Sequence, residues 1–132
     1  MIAVDASALL AIAFEEPEEP LFISILAQSA AAYIAPVSYL ETGIILTRRG
    51  FLAGRSQFET WLAQAGVVVR DDLPLANGAL TAHLRFGKGF HPAKLNLADC
   101  FAYALARHLD APLLYKGDDF ARTDIGSALQ PT

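Results

Sequence analysis

The chain has only one cysteine, Cys100, among its 132 residues, and no Cys/His spacing of the kind that binds zinc. A single cysteine cannot form an internal disulfide bond, which excludes the disulfide-rich secreted scaffolds. A chain of this length buries roughly two-thirds of its unfolded surface, so it can fold on a hydrophobic core alone. We therefore expect an intracellular, reducing setting, the cytoplasm.

Positive charge is also scarce, with ten Lys and Arg against fourteen Asp and Glu and a formal net charge of −4. This balance argues against a surface that is basic throughout and binds nucleic acid unspecifically, although it leaves room for a local basic rim. The first residues, "MIAVDASALLAIAF", have no positively charged start and carry Asp5 within the apolar stretch. We therefore expect them to belong to the mature protein rather than to a signal peptide.

One segment, Leu21 to Leu40, has no charged residue over a length that could span a bilayer. Its pattern changes midway from helical to strand-like, and polar residues and Pro36 interrupt it. We expect a core helix followed by a buried strand, and no association with a membrane.

Four short apolar runs rich in β-forming residues alternate with longer helix-patterned segments. The runs are "IAVD" (2–5), "AYIAP" (32–36), "GVVVRD" (66–71) and "PLLYK" (112–116). Such alternation predicts an α/β fold with a parallel sheet and helices on both of its faces. Without repeats or linkers, residues 1–132 are predicted to form one domain.

Several helix starts can be placed from capping residues. A first helix is predicted directly after Asp5. Capping-box spacing marks three more starts: Ser38 with Glu41, Ser56 with Glu59, and Asn96 with Asp99. Asn77-Gly78 is a turn signal inside another helical pattern, but Leu80 and Leu84 are four residues apart, so we predict a helix there too.

Four acidic residues that are distant in sequence are predicted to meet at one edge of this sheet. Asp5, Glu41 and Asp118 each follow a predicted strand, and Asp99 lies in the first turn of the helix that leads into the last strand. In an open α/β sheet, ligands bind outside the carboxyl ends of the strands. Carboxylates that approach each other raise one another's pKa unless a cation lies among them.

Carboxylate ligands without His or Cys favour Mg²⁺ or Mn²⁺, and such ions promote phosphodiester hydrolysis. Each acid also has a purely structural alternative: Asp5 as an N-cap, Glu41 and Asp99 as capping-box partners, and Asp118 as a turn residue. Ser7 could orient a carboxylate or a metal-bound water, or form a turn at the helix start. A phosphoacceptor domain could use Asp71 or Asp72, but Asp5 lacks the acidic neighbour that such a site requires.

Four motifs, in chain order, resemble those of PIN-domain ribonuclease toxins of the VapC type: "IAVDASALLAI", "SYLETGIIL", "GKGFHPAKLNLADCFAYALAR" and "PLLYKGDDFARTDI". The resemblance covers nearly the whole chain. It implies a three-layer α/β/α sandwich around a mainly parallel sheet of four to five strands. It also implies a Mg²⁺- or Mn²⁺-dependent endoribonuclease, restrained by a cognate antitoxin protein and commonly a homodimer.

The resemblance carries the family's acidic positions onto Asp5, Glu41 and Asp99, with direct metal contacts for Asp5 and Asp99. For the fourth acid it leaves three candidates. Asp118 is our first choice, and Asp119 and Asp124 are alternatives.

RNA phosphates would need positive charge near these acids, and the loop "GKGFHPAK" (87–94) is the main candidate. The proposed RNA-binding residues are Lys88, His91, Lys94 and Lys116. Phe90 could stack on an unpaired base or pack in the core. Two other functions stay open: a catalytically silent binding module of the same fold, and a nuclease directed at DNA.

Overall fold

In the computed structural model, which describes residues 1–129, four short strands form one parallel sheet. The strands are β1 (Ile2–Val4), β2 (Ala32–Ile34), β3 (Val67–Val69) and β4 (Leu113–Leu114). Their order across the sheet is β3-β2-β1-β4. Each strand falls within one of the four apolar runs, so the predicted strands are confirmed. Because Val4 pairs with both Ile34 and Leu114, the central strands end at the same edge.

Six α-helices and one short 3₁₀ helix pack around this sheet. The helices are α1 (Ala6–Ala13), α2 (Glu19–Gln28), α3 (Pro36–Arg48), α4 (Arg55–Ala65), α5 (Ala76–Phe86), α6 (Leu97–Leu109) and the 3₁₀ helix (Phe120–Arg122). Ile2 and Val4 of β1 face a core shared with α1, α2 and α4, whereas Ala3 faces a second core built with α5 and α6. Alternate residues of a strand point to opposite faces, so the sheet is covered on both sides. The three-layer α/β/α sandwich is confirmed.

Two of the three predicted capping boxes are wrong. Helix α3 begins at Pro36 with Ala35 as its N-cap, three residues earlier than the predicted N-cap Ser38. Proline is favoured in the first turn because it lacks the N–H that would be left without a partner there. Ser38 is therefore inside the helix and fully buried, and its Oγ has no hydrogen-bond partner.

Helix α4 likewise begins with Gly54 as its N-cap and without a capping side chain. Instead, the Gln57 side chain accepts a hydrogen bond from the backbone N–H of Ala53 at 2.8 Å. The predicted cap formed by Ser56 and Glu59 is absent.

The helix predicted across Asn77-Gly78 is confirmed as α5, and the segment Leu21 to Leu40 contains most of α2, all of β2 and the start of α3. Within residues 1–129, none of the helices has the length and apolar character needed to cross a membrane.

The packing of α3 against α4 depends on Gly43. The ring of Phe58 lies over this glycine and stacks on Tyr39, with ring centroids 5.0 Å apart. A Cβ atom placed on Gly43 would lie 2.8 Å from the Phe58 ring. The missing side chain at residue 43 therefore lets the aromatic ring of α4 approach the backbone of α3.

Candidate active site

Asp5 lies where the central strand β1 ends and α1 begins. Its Oδ2 accepts a hydrogen bond from the Ser7 backbone N–H at 3.0 Å, so the carboxylate caps α1 as predicted. The side chain is almost fully buried, and within residues 1–129 its Oδ1 has no hydrogen-bond partner. Since an unpaired buried carboxylate oxygen is costly, this atom is available for a ligand.

Asp99 lies in the first turn of α6 and takes part in the one predicted capping box that is confirmed. Its backbone N–H donates to Asn96 Oδ1 at 2.8 Å, and its Oδ2 accepts from the Asn96 N–H at 3.0 Å. The capping box uses only Oδ2, so Asp99 can cap the helix and still offer Oδ1 to a second partner. Capping and metal binding are therefore compatible at this residue, as they are at Asp5.

The charges of these acids act on one another across the carboxyl edge of the sheet. Burial raises the pKa of Asp5, against the hydrogen bonds from Ser7, and the nearby charge of Glu41 raises it further. Burial and the charge of Asp99 raise the pKa of Glu41, which lies half-buried on α3. For Asp99, burial together with the charges of Asp5 and Asp119 raises the pKa to about 6. Strands β1 and β4 and helices α3 and α6 thus place four acids of distant sequence near enough for their charges to act on one another in pairs.

Two of the three candidates for the fourth acid follow β4 directly. Gly117 adopts a positive φ of 103° and turns the chain after β4, and both Asp118 and Asp119 are exposed in this turn. The charge that acts on Asp99 is that of Asp119, not that of Asp118. The structure therefore favours Asp119 as the fourth member of the cluster.

Asp124, the other alternative, is not part of the acidic cluster. Its carboxylate forms ion pairs with Arg85 and Arg107 and accepts a hydrogen bond from the Tyr103 hydroxyl. Sequence reasoning missed Tyr103 and Arg107 altogether. The available signal was their spacing, four and eight residues after Asp99, which places all three on one side of α6.

Ser7 connects two parts of the site. Its Oγ accepts a hydrogen bond from the Lys116 backbone N–H at 3.0 Å, and its own N–H donates to Asp5. The turn that follows β4 is thus joined to the start of α1. This arrangement is consistent with the supporting role predicted for Ser7.

The Lys116 side chain does not provide free positive charge. Its Nζ lies 2.9 Å from Glu16 Oε2 and 3.4 Å from Glu18 Oε1, in the loop between α1 and α2. Two carboxylates balance this one ammonium group, so the structure argues against Lys116 as an RNA-binding residue.

The loop of residues 87–94 keeps its predicted candidates on the surface. Lys88 and Lys94 are exposed, and Phe90 is 64% exposed with its ring edge-on to His83. His91 is held in place, because its Nδ1 accepts a hydrogen bond from the Ala93 N–H at 3.0 Å. Phe90 therefore does not fill the core, and the structure leaves it free to contact a ligand.

The oxygen donors of this cluster fit a hard divalent cation held partly by water. Within residues 1–129, no three His, Cys, Asp or Glu side chains converge closely enough to ligate one ion. Mg²⁺ is typically bound through one or two carboxylates and keeps several of its waters. The unpaired Oδ1 of Asp5 and the Oδ1 of Asp99 match that requirement.

Comparisons with known proteins identify the family. The model of the PIN domain matches residues 2–126. A Ribonuclease VapC of Mycolicibacterium smegmatis is 39% identical over 127 residues, covering 96% of this chain and 98% of that protein. Ribonuclease VapC30 of Mycobacterium tuberculosis is 36% identical over 131 residues, covering 98% of this chain and all of the relative.

Among solved structures, that of Mycobacterium tuberculosis VapC20, described as a Sarcin-Ricin loop cleaving toxin, superposes with a TM-score of 0.73. It covers 95% of this chain and 96% of that chain, at 16% identity, and so supports the fold alone. On the family model and the close relatives together, this chain belongs to the PIN domain family.

Proposed function

We propose that this protein is a metal-dependent endoribonuclease and the toxin of a toxin–antitoxin pair. The observation that carries the proposal is the buried Asp5 at the carboxyl edge of the sheet, whose Oδ1 has no hydrogen-bond partner within residues 1–129. The charges of Glu41, Asp99 and Asp119 act in the same region, since, in addition to burial, Glu41 raises the pKa of Asp5, and Asp5 and Asp119 raise that of Asp99. Relatives named as VapC ribonucleases, similar over nearly the full chain, support the same activity.

In this proposal Asp5 and Asp99 bind Mg²⁺ or Mn²⁺ directly through their Oδ1 atoms. The bound ion supplies Lewis-acid polarisation of the phosphodiester and a more acidic water. Glu41 and Asp119 would orient the attacking water beside the ion. Burial and the charge of Asp99 raise the pKa of Glu41, which favours a role for its carboxylate as proton acceptor.

The exposed loop of residues 87–94 supplies the contacts to RNA. Lys88 and Lys94 attract backbone phosphates, His91 adds a polar contact, and Phe90 offers an exposed ring on which an unpaired base can stack. Arg122 donates a hydrogen bond to the Pro92 carbonyl at 3.2 Å, which ties this loop to the segment that carries Asp119. Binding and cleavage residues are thereby held next to each other.

We further propose an antitoxin protein as partner and a homodimer as the active assembly, in the cytoplasm. Two apolar grooves are available for these contacts. One of about 250 Å³ between α1, α2 and α4 includes Ile23, Leu26 and Trp61. Another of about 590 Å³ between α5 and α6 is bordered by exposed Leu80 and Leu97.

Cleavage of a structured RNA by the purified, partner-free protein tests the main proposal. We expect cleavage with Mg²⁺ or Mn²⁺, loss of cleavage with a chelator, and loss again in Asp5→Asn and in Asp99→Asn. Asp71→Asn, which changes an exposed acid away from the cluster, is the matched control and should cleave normally.

The same assay decides between the alternatives. Cleavage that needs no metal, or full activity in both site variants, would refute the mechanism. A folded protein without any nuclease activity would indicate a silent binding module. Cleavage of single-stranded DNA in preference to RNA of the same sequence would indicate a DNA-directed nuclease.

A further inference from the structure

Asp124 gathers three partners from two helices onto one carboxylate. The Tyr103 hydroxyl donates to its Oδ1, Arg107 Nη2 donates to its Oδ2, and Arg85 Nη2 contacts Oδ2 at 3.3 Å. Arg107 Nε also donates to the Tyr103 hydroxyl at 3.2 Å, so the donors are linked to each other. Charge-assisted hydrogen bonds of this kind are stronger and more directional than those between neutral groups. One side chain of the C-terminal segment is thereby fixed to both α5 and α6.

Helix α6 connects this network to the acidic cluster. Asp99, Tyr103 and Arg107 follow each other at intervals of four residues, so they lie along one side of the helix. The first turn of α6 thus carries an acid of the site, and the next two turns hold Asp124. A rigid helix therefore sets the distance between Asp99 and the anchored segment.

Asp119 lies five residues before Asp124 in the same segment. Within residues 1–129 its side chain makes no hydrogen bond, and it is exposed in the turn before the 3₁₀ helix. The 3₁₀ helix holds it from one side, because Phe120 is buried against Tyr115 with ring centroids 5.2 Å apart. The same 3₁₀ helix is closed by the backbone N–H of Thr123, which donates to the Phe120 carbonyl at 3.0 Å, and Asp124 follows directly.

We infer that Asp124 is a positioning residue that, through Tyr103 and Arg107, fixes where Asp119 stands relative to Asp99. The two arginines are therefore structural: Asp124 already accepts their hydrogen bonds, so they do not form a separate phosphate site. The inference rests on the proposed function, because it gives Asp119 a place beside a bound metal ion. Groups that orient metal-site residues from outside typically change metal affinity by about tenfold or more when they are lost.

Binding of Mn²⁺ to the RNA-free protein, measured by calorimetry, tests this role without relying on activity. Asp124→Asn keeps the shape of the side chain and removes its charge, and we expect it to weaken Mn²⁺ binding about tenfold. Asp119→Asn should weaken binding similarly. The double variant should bind no more weakly than Asp119→Asn alone, because Asp124 acts only through Asp119. Asp71→Asn, an exposed acid outside the segment after β4, is the control and should bind like the wild type.

A merely structural role for Asp124 gives a different pattern. If the effects of Asp119→Asn and Asp124→Asn multiply in the double variant, or if Asp124→Asn binds Mn²⁺ like the wild type, the inference is overturned. Tyr103→Phe, which removes only the hydroxyl, should weaken binding in the same direction and serves if Asp124→Asn does not fold. A wild-type protein that binds no Mn²⁺ refutes the proposed function and this role with it, so the two failures are distinguishable.

Discussion

Replacing Asp99 by asparagine should stabilise the metal-free protein while removing its activity. The substitution keeps the size of the side chain and an oxygen that can accept the hydrogen bond from the Asn96 N–H. It removes a charge that is partly buried and lies near the charges of Asp5 and Asp119. Because those interactions disfavour the ionised form, the charge of Asp99 lowers the free energy of unfolding of the wild-type protein at neutral pH. The variant lacks this destabilising charge.

The size of the effect follows from the pKa of Asp99, which is raised from 3.8 to about 6. Each unit of pKa corresponds to about 1.36 kcal/mol, so the full shift would be about 3 kcal/mol. Asp99 is partly exposed, and solvent screening reduces this figure by about half. We therefore expect the free energy of unfolding to rise by about 1–2 kcal/mol in Asp99→Asn at pH 7.5.

The difference in the free energy of unfolding between the wild type and the variant depends on pH. Since the pKa of Asp99 is higher in the folded state, the folded state binds more protons than the unfolded state between about pH 4 and pH 6. The contribution of Asp99 to the free energy of unfolding therefore falls as the pH rises through this range, and stays constant above it. The variant lacks this dependence, so the difference between the two proteins should be small at pH 4 and full at pH 7.5.

Urea unfolding in the presence of a chelator measures this difference directly. In thermal unfolding at pH 7.5, the melting temperature of Asp99→Asn should be higher than that of the wild type by about 3–8 °C, given the size of the domain. Asp118→Asn, which changes an exposed acid of the neighbouring turn, serves as control and should change little. A variant no more stable than the wild type at pH 7.5, or equally stabilised at pH 4, would refute the proposed repulsion.

Three further predictions concern the cap, the helix packing and the basic side chains. Asn96→Ala should lower the free energy of unfolding by about 1 kcal/mol in urea unfolding, because it removes the α6 cap. Gly43→Ala should cost about 1–3 kcal/mol in the same assay, since the Phe58 ring must move, whereas Gly126→Ala, whose Cβ would meet only Pro112 Cβ at 3.9 Å, should change little. In an inactive Asp5→Asn background, Lys88→Gln should weaken RNA binding and reduce its salt slope by about 0.7, whereas Lys116→Gln should leave both unchanged. Equal losses for the two lysines would contradict the pairing of Lys116 with Glu16.

The sheet could be predicted because the residues that mark each strand are neighbours in the sequence. Each strand is a short apolar run, and parallel pairing aligns the carboxyl ends of the runs, so Asp5 and Glu41 could be placed at one edge before any coordinates. The capping box of Asn96 and Asp99 could also be predicted, from the three-residue spacing between them. The predicted start of a helix was wrong where a second sequence signal competed with the capping residue. In α3, Pro36 in the first turn outweighed Ser38.

The fourth acid could not be chosen from sequence, because the choice depends on long-range contacts. Asp118, Asp119 and Asp124 are equivalent in a list of residues. They differ only in the folded chain. There Arg107 and Tyr103 of α6 bind Asp124, whereas the charge of Asp119 acts on Asp99. The charge of Lys116 was misread for the same reason, since its partners lie about a hundred residues earlier in the chain.

The pairing of Lys116 with Glu16 and Glu18 gives the site an approach direction. The backbone of Lys116 binds Ser7, and its side chain binds Glu16 and Glu18. The acidic loop between α1 and α2 is therefore separated from Ser7 by the length of one lysine side chain and lies close to the carboxyl edge of the sheet. A polyanion that arrives from that side meets carboxylates, whereas one that arrives over residues 87–94 meets Lys88 and Lys94. For the proposed RNA substrate we therefore expect approach over residues 87–94, directed by repulsion from the acidic loop as well as by attraction to the two lysines.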